Sequence, residues 1–179
     1  LLDVSEFHTY LHHYAQADSI LRIAQSYQLD NYYLARYNET KGLYFYEQLQ
    51  YDSALYYFHQ ALHLWEYEED KFYTYKKLMQ VHLDMDDHAS ALPYAQIIVE
   101  QSADPNDLVN AYYCLMQDAK ARGDINKLST YAHARQDANE LLMQSVGNYN
   151  GAQTLLEEHL ANPYPYRWAW ITLLCLLVA

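Results

Sequence analysis

The feature that most constrains the fold of this chain is a repeat of 37 residues. Ala17, Ala54 and Ala91 lie 37 residues apart, and the next step reaches Leu128. Three more sets follow the same step: Tyr14, Tyr51, His88 and Ile125; Leu21, Phe58, Ala95 and Ala132; and Ala24, Ala61, Ile98 and Arg135. A period of this length predicts short structural units that stack on their neighbours to bury a shared core.

Residues 35–66 show what one unit folds into. Apolar side chains recur every three to five residues up to position 49, which is the spacing of an amphipathic helix. A polar break at 50–52 follows, where Asp52 suits an N-cap, and a second apolar stripe then begins at Ala54. Small residues at Gly42, Ala54 and Ala61 would let two helices approach closely, with Phe58 filling the space between them. Each unit is therefore predicted to be a helical hairpin.

Composition supports a helical chain. Glycine and proline together supply only 8 of 179 residues, too few turn formers for a sandwich or barrel of many short strands. Apolar residues make up 51% of the chain, which is enough to bury a core.

The repeat resembles the tetratricopeptide repeat family. The small and aromatic positions of the family pattern are matched in order in the second unit by Gly42, Phe45, Ala54, Phe58 and Ala61. The third unit keeps Tyr75, Leu78 and Ala91 but has Met79 at the small position. The fourth keeps Tyr112, Leu115, Gly123, Asp124 and Ala132 but has Leu128 in place of an alanine. The resemblance covers about residues 5–145 and implies an all-α, right-handed solenoid of antiparallel helix hairpins, here longer than the family's usual unit.

The 37-residue period predicts four units, and two further segments follow them. The units are expected at about 1–34, 35–71, 72–108 and 109–145. The last long helix should begin at 125 and end before a turn at 147–151, because two glycines and two asparagines lie there. A short capping helix is expected within 146–162, followed by an aromatic linker and an apolar segment at 163–179.

The resemblance also implies where a ligand would bind. In such a stack the first helix of each hairpin lines the inner face, where an extended peptide or another polar ligand is expected. The candidate side chains are Arg36, Glu39, Leu43, Tyr46, Tyr73, Lys76, Lys77, Gln80, Leu83, Asn110, Tyr113, Gln117 and Lys120. Some related co-chaperones hold a peptide carboxylate in a clamp of lysines and asparagines. The first clamp positions here are Glu39 and Leu43, which cannot form such a clamp, so that class of ligand is not expected. The alternative is an ordinary solvated helix surface.

Charge and motif content exclude other functions. Eleven Lys and Arg residues against 23 Asp and Glu give a net charge of −12, so direct contact with nucleic acid is not expected. No glycine-rich phosphate loop or nucleophile elbow occurs, and we expect neither an enzyme nor a cofactor.

Two histidine groups have partial metal-ligand spacing but are better explained as ordinary polar helix positions: His8, His12 and His13, and His59 and His63. Asp84, Asp86 and Asp87 fit a turn, with Asp86 or Asp87 capping the next helix.

The end of the sequence points to a membrane. Residues 168–179 contain Thr172 as their only polar residue, and a membrane span needs about 20 such residues. Four aromatic residues around Arg167 precede or open this run, in the pattern of an interfacial belt: Tyr164, Tyr166, Trp168 and Trp170. The segment is therefore expected to be the start of a transmembrane helix. The alternative is a final helix that packs on the last hairpin.

Tyrosine-rich repeats followed by a span resemble a group of bacterial membrane-anchored regulators. Those proteins join an extracytoplasmic tetratricopeptide sensor to a cytoplasmic kinase or helix-turn-helix domain. The resemblance implies a periplasmic ligand-sensing region that binds a protein, a peptide or a second copy of itself. The alternatives are a soluble cytoplasmic scaffold or co-chaperone-like adaptor, and a surface glycan-binding protein.

Overall fold

The described part of the chain is entirely helical. A computed structural model describes the backbone of residues 1–161 and the side chains of residues 1–147. These residues form eight α-helices and contain no strand. The helices are α1 (Leu2–Tyr10), α2 (Tyr14–Gln25), α3 (Asn31–Tyr46), α4 (Tyr51–Leu64), α5 (Glu68–Asp84), α6 (His88–Gln101), α7 (Pro105–Ala121) and α8 (Ile125–Ala161). The prediction of an all-α fold is confirmed.

The 37-residue step of the sequence is also the step between helices. The even-numbered helices begin at Tyr14, Tyr51, His88 and Ile125, which are 37 residues apart. These are the positions that the sequence singled out just ahead of the repeated small residue. Each even-numbered helix follows an odd-numbered one after a turn of three or four residues, so α1 to α8 form four consecutive helix pairs. We call the odd-numbered members the first helices and the even-numbered members the second helices.

The turn inside each pair repeats in backbone detail. One residue per turn adopts the left-handed conformation, with φ between 57° and 70°: His12, Leu49, Asp86 and Gly123. The N–H of the following residue donates to the carbonyl five residues earlier, as from His13 to His8 at 2.8 Å, and this bond recurs in all four turns. This is the Schellman arrangement, which satisfies the free carbonyls at a helix end. Four copies at the same register show that the repeat governs backbone geometry as well as packing.

The start of a second helix follows the prediction in one unit and departs from it in another. Asp87 is the N-cap of α6 and accepts from the N–H of Ser90 at 3.1 Å, as one of the two predicted alternatives requires. Asp52 is not an N-cap, because α4 begins one residue earlier, at Tyr51, after Gln50. Asp52 instead lies in the first turn of α4, where a carboxylate still interacts favourably with the helix dipole.

The cores of the pairs contain the repeated small residues. Ala17, Ala54 and Ala91 are fully buried, as is Phe58. A Cβ atom built on Gly42 would lie 2.8 Å from the Phe58 ring, so only glycine permits this approach. The predicted packing of Phe58 between small residues is confirmed.

The order of helix contacts is regular within residues 1–138, the first of the two compact units into which the chain divides. Within a pair, α1 contacts α2, α3 contacts α4, and α5 contacts α6. First helices also contact one another in series, α1 with α3, α3 with α5, and α5 with α7. Arg135 on α8 donates to the carbonyl of Val109 at 3.3 Å and so joins α8 to α7. The first helices therefore share one side of this unit.

The predicted turn at 147–151 is wrong, because α8 runs without a break from Ile125 to Ala161. Glycine in a helix interior costs only about 1 kcal/mol relative to alanine, and good helix formers follow Gly151. The second compact unit begins at Asn139, inside this helix. Among the described residues, none of the helices has the length and apolar character to cross a bilayer. The linker and membrane segment expected at 163–179 lie outside the described residues.

Candidate functional site

The candidate site is the side of the first helices, and the structure sorts its thirteen predicted residues into two groups. Glu39 and Leu43 are buried. The remaining eleven are partly or fully exposed: Arg36, Tyr46, Tyr73, Lys76, Lys77, Gln80, Leu83, Asn110, Tyr113, Gln117 and Lys120. We call these eleven side chains, which α3, α5 and α7 contribute, the first-helix face.

Glu39 and Leu43 correct the prediction that this register of α3 faces outward. Leu43 is fully buried in a cluster with Ala54, Phe58 and Leu78. Glu39 is also inside, because α3 lies between α1 and α5 and both neighbours cover it. Their repeat equivalents on α7, Tyr113 and Gln117, stay partly exposed. The same register therefore serves packing in α3 and remains accessible in α7.

The buried carboxylate of Glu39 is held by three donors. Thr74 Oγ1 donates to it at 2.5 Å, Trp65 Nε1 at 3.1 Å and Arg36 at 3.4 Å. Burial raises the pKa of Glu39 above its ordinary value, and the three hydrogen bonds only partly oppose that shift. Sequence reasoning missed this cluster, because Trp65 and Thr74 carry no motif and meet Glu39 only through the fold.

Arg36 joins α1 to α3 through carboxylates. Its guanidinium lies 3.2 Å from Asp3, 3.6 Å from Glu6 and 3.4 Å from Glu39. Thr40 adds a hydrogen bond to Glu6 at 2.9 Å. A cation surrounded by three carboxylates has little remaining attraction for an anionic ligand.

Lys77 lies between two tyrosine rings. Its ammonium is 5.3 Å from the ring centroid of Tyr73 and 5.9 Å from that of Tyr10, within the range of cation–π contact. Tyr10 belongs to α1 and Tyr73 to α5, so side chains from these two helices meet around Lys77. Burial raises the pKa of the Tyr73 hydroxyl, with contributions from Tyr10 and Glu6, so Tyr73 stays neutral.

Two more polar links tie neighbouring first helices. Lys76 on α5 forms an ion pair with Asp107 on α7 at 3.2 Å. Asp84 accepts from Tyr46 on α3 at 2.5 Å and from Gln80 at 2.8 Å. Three of the four predicted groove cations, Arg36, Lys76 and Lys77, are thus engaged by the protein itself, and their first role is to hold α1, α3, α5 and α7 together.

One continuous part of the first-helix face lies on α7. Asn110, Tyr113, Gln117 and Lys120 follow one another at helical spacing along a single stripe. Tyr113 packs edge-on against His88 and beneath Arg135, with centroid distances of 5.7 and 5.4 Å. Gln117 and Lys120 also line a cavity of about 570 Å³, together with Asp86, Asp87, His88, Ala89, Asp118 and Ala121.

A second group of exposed aromatic residues, which the sequence analysis did not predict, lies at the N-terminal ends of α3 and α5. Tyr32 lies beside a cavity of about 480 Å³ that also involves Tyr67 and three carboxylates, those of Asp30, Glu66 and Asp70. Its ring packs edge-on against Trp65 at 5.3 Å. The available signal was the clustering of aromatic residues at 32–33 and 65–67, which flank the turns between pairs.

The predicted histidine groups, and Cys114, can be judged from their surroundings in the structure. His12 lies in the turn after α1, and its Nδ1 is 2.8 Å from the Tyr14 hydroxyl. Residues 1–147 contain no group of three His, Cys, Asp or Glu side chains arranged to hold a metal. Burial raises the pKa of the Cys114 thiol to about 11, so it is a poor nucleophile near neutral pH.

Comparison with protein-family models, with curated proteins and with solved structures gave no match.

Proposed function

We propose that the chain is a tetratricopeptide-type, right-handed solenoid whose first-helix face binds a protein or peptide, without catalysis. The regular helix pairs and the serial contacts among first helices support the solenoid. The observation that carries the binding proposal is the stripe on α7, where Tyr113 and Gln117 stay partly exposed while their equivalents on α3, Glu39 and Leu43, are buried.

The chemistry of this stripe defines the ligand. Amide and tyrosine side chains donate and accept hydrogen bonds and offer flat apolar area, which suits the backbone and side chains of a peptide. The net charge of −12 and the internal pairing of Arg36 and Lys76 disfavour an acidic ligand. We therefore propose a neutral or basic peptide that lies along α5 and α7.

Selection from a random peptide library on the full chain tests this proposal. Asn110→Ala and Gln117→Ala together should weaken the selected peptides about tenfold or more, as removal of central polar contacts does in other interfaces. Tyr56→Ala is the control, because Tyr56 is exposed on the second helix α4 and should not affect binding. The proposal fails if the library yields no peptide, or if Tyr56→Ala weakens binding as much as the α7 changes.

We further propose that this module is the sensing region of a bacterial membrane-anchored regulator, with the repeats in the periplasm and an anchor at 168–179. The apolar run in that segment supports the anchor. Fractionation of the full chain against a Leu174→Arg, Leu177→Arg variant tests it, because two arginines in an apolar run should release a membrane-held protein. If the unchanged chain and the variant were both found in the soluble fraction to the same extent, the alternative of a soluble scaffold or co-chaperone-like adaptor would be favoured.

Glycan binding is a second candidate that one observation favours. The cavity beside Tyr32 and Tyr67 combines exposed aromatic rings with Asn31 and three carboxylates, a set that can stack on sugar rings and bond their hydroxyls. Titration with neutral oligosaccharides should show binding that Tyr32→Ala and Tyr67→Ala remove. Lack of binding at millimolar sugar would eliminate this candidate.

A further inference from the structure

The cavity beside Tyr32 and Tyr67 lies where α4 ends and where α3 and α5 begin. Its volume of about 480 Å³ falls in the range of pockets that bind small ligands. Tyr32, Trp65 and Tyr67 line it, and the rings of Tyr32 and Trp65 meet edge-on at 5.3 Å. Trp65 is buried, whereas Tyr32 and Tyr67 are 53% and 64% exposed. The cavity therefore offers aromatic surface that solvent reaches.

The charged side chains that line this cavity are three carboxylates, those of Asp30, Glu66 and Asp70. Asp30 uses one oxygen to cap α3, by accepting from the N–H of Tyr33 at 2.9 Å. Within the described residues, the side chains of Glu66 and Asp70 form no ion pair or hydrogen bond. The adjacent cation Lys71 pairs with Glu68 instead, at 2.5 Å. The negative charge of the cavity is therefore available to a ligand.

The helix ends around the cavity do not cancel this charge. The N-terminal ends of α3 and α5 each contribute about +0.5 of an elementary charge, and the C-terminal end of α4 contributes about −0.5. Together with three carboxylates, these partial charges leave the cavity at roughly −2.5. A site of this sign repels anions, attracts cations and gives a neutral sugar no Coulomb advantage.

The repeat does not require exposed rings at this turn. One period later the positions of Tyr32, Trp65 and Tyr67 are taken by Glu69, Ser102 and Asp104. That turn is closed by polar contacts, because Ser102 donates to Asp107 at 3.0 Å and Asp104 caps α7. Stacking of the pairs therefore does not explain why Tyr32 and Tyr67 are aromatic.

We propose that this cavity binds an organic ammonium ion. The charge would lie among the carboxylates, and the apolar stem would lie against the rings of Tyr32, Trp65 and Tyr67. Aromatic faces attract a cation, and an ammonium hydrogen can also be donated to a carboxylate. Among the described residues, the carboxylates are not grouped as a metal ion requires. The site is separate from the first-helix face, so it does not depend on peptide binding there.

A free amine and a lysine side chain of a protein present the same chemical group, so the test uses both. The first probe is pentylamine, with 1-pentanol as its neutral counterpart. The second is lysine blocked at its α-amino and carboxyl groups, with blocked norleucine as its counterpart. Titration of the full chain, followed by NMR of the ligand signals, gives the dissociation constants. Each ammonium probe should bind about tenfold or more tightly than its neutral counterpart, because several carboxylates face it.

Glu66→Gln with Asp70→Asn removes two charges and keeps the shapes of both side chains. Binding of pentylamine should weaken about tenfold or more, while binding of 1-pentanol should stay unchanged. Glu69→Gln with Asp52→Asn is the matched control, because it removes the same charge from residues that do not line the cavity. This control should change pentylamine binding by less than about twofold, since exposed charges farther away are screened.

Tyr32→Ala with Tyr67→Ala tests the aromatic contribution and should weaken both pentylamine and 1-pentanol, because it removes the surface on which the stem lies. Helical circular dichroism of each variant checks that the fold is kept.

The relative affinities of the two ammonium probes identify the carrier. Tighter binding of blocked lysine would support the proposal with a protein as the carrier, and tighter or equal binding of pentylamine would support it with a free amine. Pentylamine that binds no better than 1-pentanol would overturn the proposal. An equal loss of binding in the control would also overturn it, because attraction to the acidic chain as a whole would then explain the result. Binding of neutral oligosaccharides without binding of pentylamine would overturn it in favour of a sugar site.

Discussion

At the scale of single residues, Glu39 sets a pH dependence of stability. Its pKa is higher in the folded protein than its ordinary value of 4.5, because burial disfavours the charged form. A carboxyl of this kind favours the folded state most at low pH. The benefit is lost as the pH rises from the unfolded pKa through the folded pKa, since the unfolded chain then releases its proton first.

Glu39→Gln isolates this effect, because the amide oxygen can still accept from Thr74 and Trp65 but cannot ionise. Urea unfolding of both proteins from pH 4 to pH 8 should show the variant gaining free energy of unfolding relative to the wild type as the pH rises. All other titratable groups are the same in both proteins, so their contribution cancels in the difference between the two free energies of unfolding. A difference that is flat, or that falls with pH, would show that burial does not dominate at Glu39.

Two glycines should respond in opposite ways to the same substitution. Gly42→Ala places a methyl group 2.8 Å from the Phe58 ring and should lower the free energy of unfolding by about 1–3 kcal/mol, as overpacking does. Gly147→Ala meets no atom within 4 Å and should stabilise its helix by up to about 1 kcal/mol. Urea titrations followed by helical circular dichroism compare the two, and equal effects would contradict the close approach of α3 and α4.

At the scale of helices and turns, the left-handed residues offer a matched pair of changes. Leu49 has φ 60° and a side chain 71% exposed, so Leu49→Gly should relieve strain of about 1 kcal/mol while losing little packing. Gly123 occupies the same place in the last turn with φ 70°, and Gly123→Ala should destabilise by a similar amount. If urea unfolding showed that both substitutions change the free energy of unfolding in the same direction, the repeated left-handed turn geometry would be contradicted.

Periodicity predicted the helices correctly. The predictions that failed concern a turn and a helix cap, which depend on tertiary packing and on the preceding turn. The starts at Tyr51 and His88 follow from the 37-residue step, because packing at Ala54 and Ala91 requires the same register. The turn at 147–151 was wrong, since glycine weakens a helix without ending it when no tertiary contact pulls the chain away. Asp52 failed as a cap because the Schellman turn at Leu49 fixes the start of α4.

At the scale of the whole molecule, the candidate site was only partly predictable. Gln80 and Gln117 are partly exposed on α5 and α7, and the role of their side of the helices in binding stays a prediction. Resemblance to a repeat family could not show that Glu39 is buried, because that depends on α1 and α5 closing over α3 from both sides. Local sequence also could not show that Lys76 is bound by Asp107, since the two lie on different helices.

The proposed function depends most directly on binding of the ligand along α5 and α7. Hydrogen exchange of the full chain, with and without a peptide selected on it, tests this claim most directly. Binding should slow exchange in 68–84 and 105–121 and leave 51–64 and 88–101 unchanged. Protection confined to 51–64 and 88–101, the second helices, would contradict it.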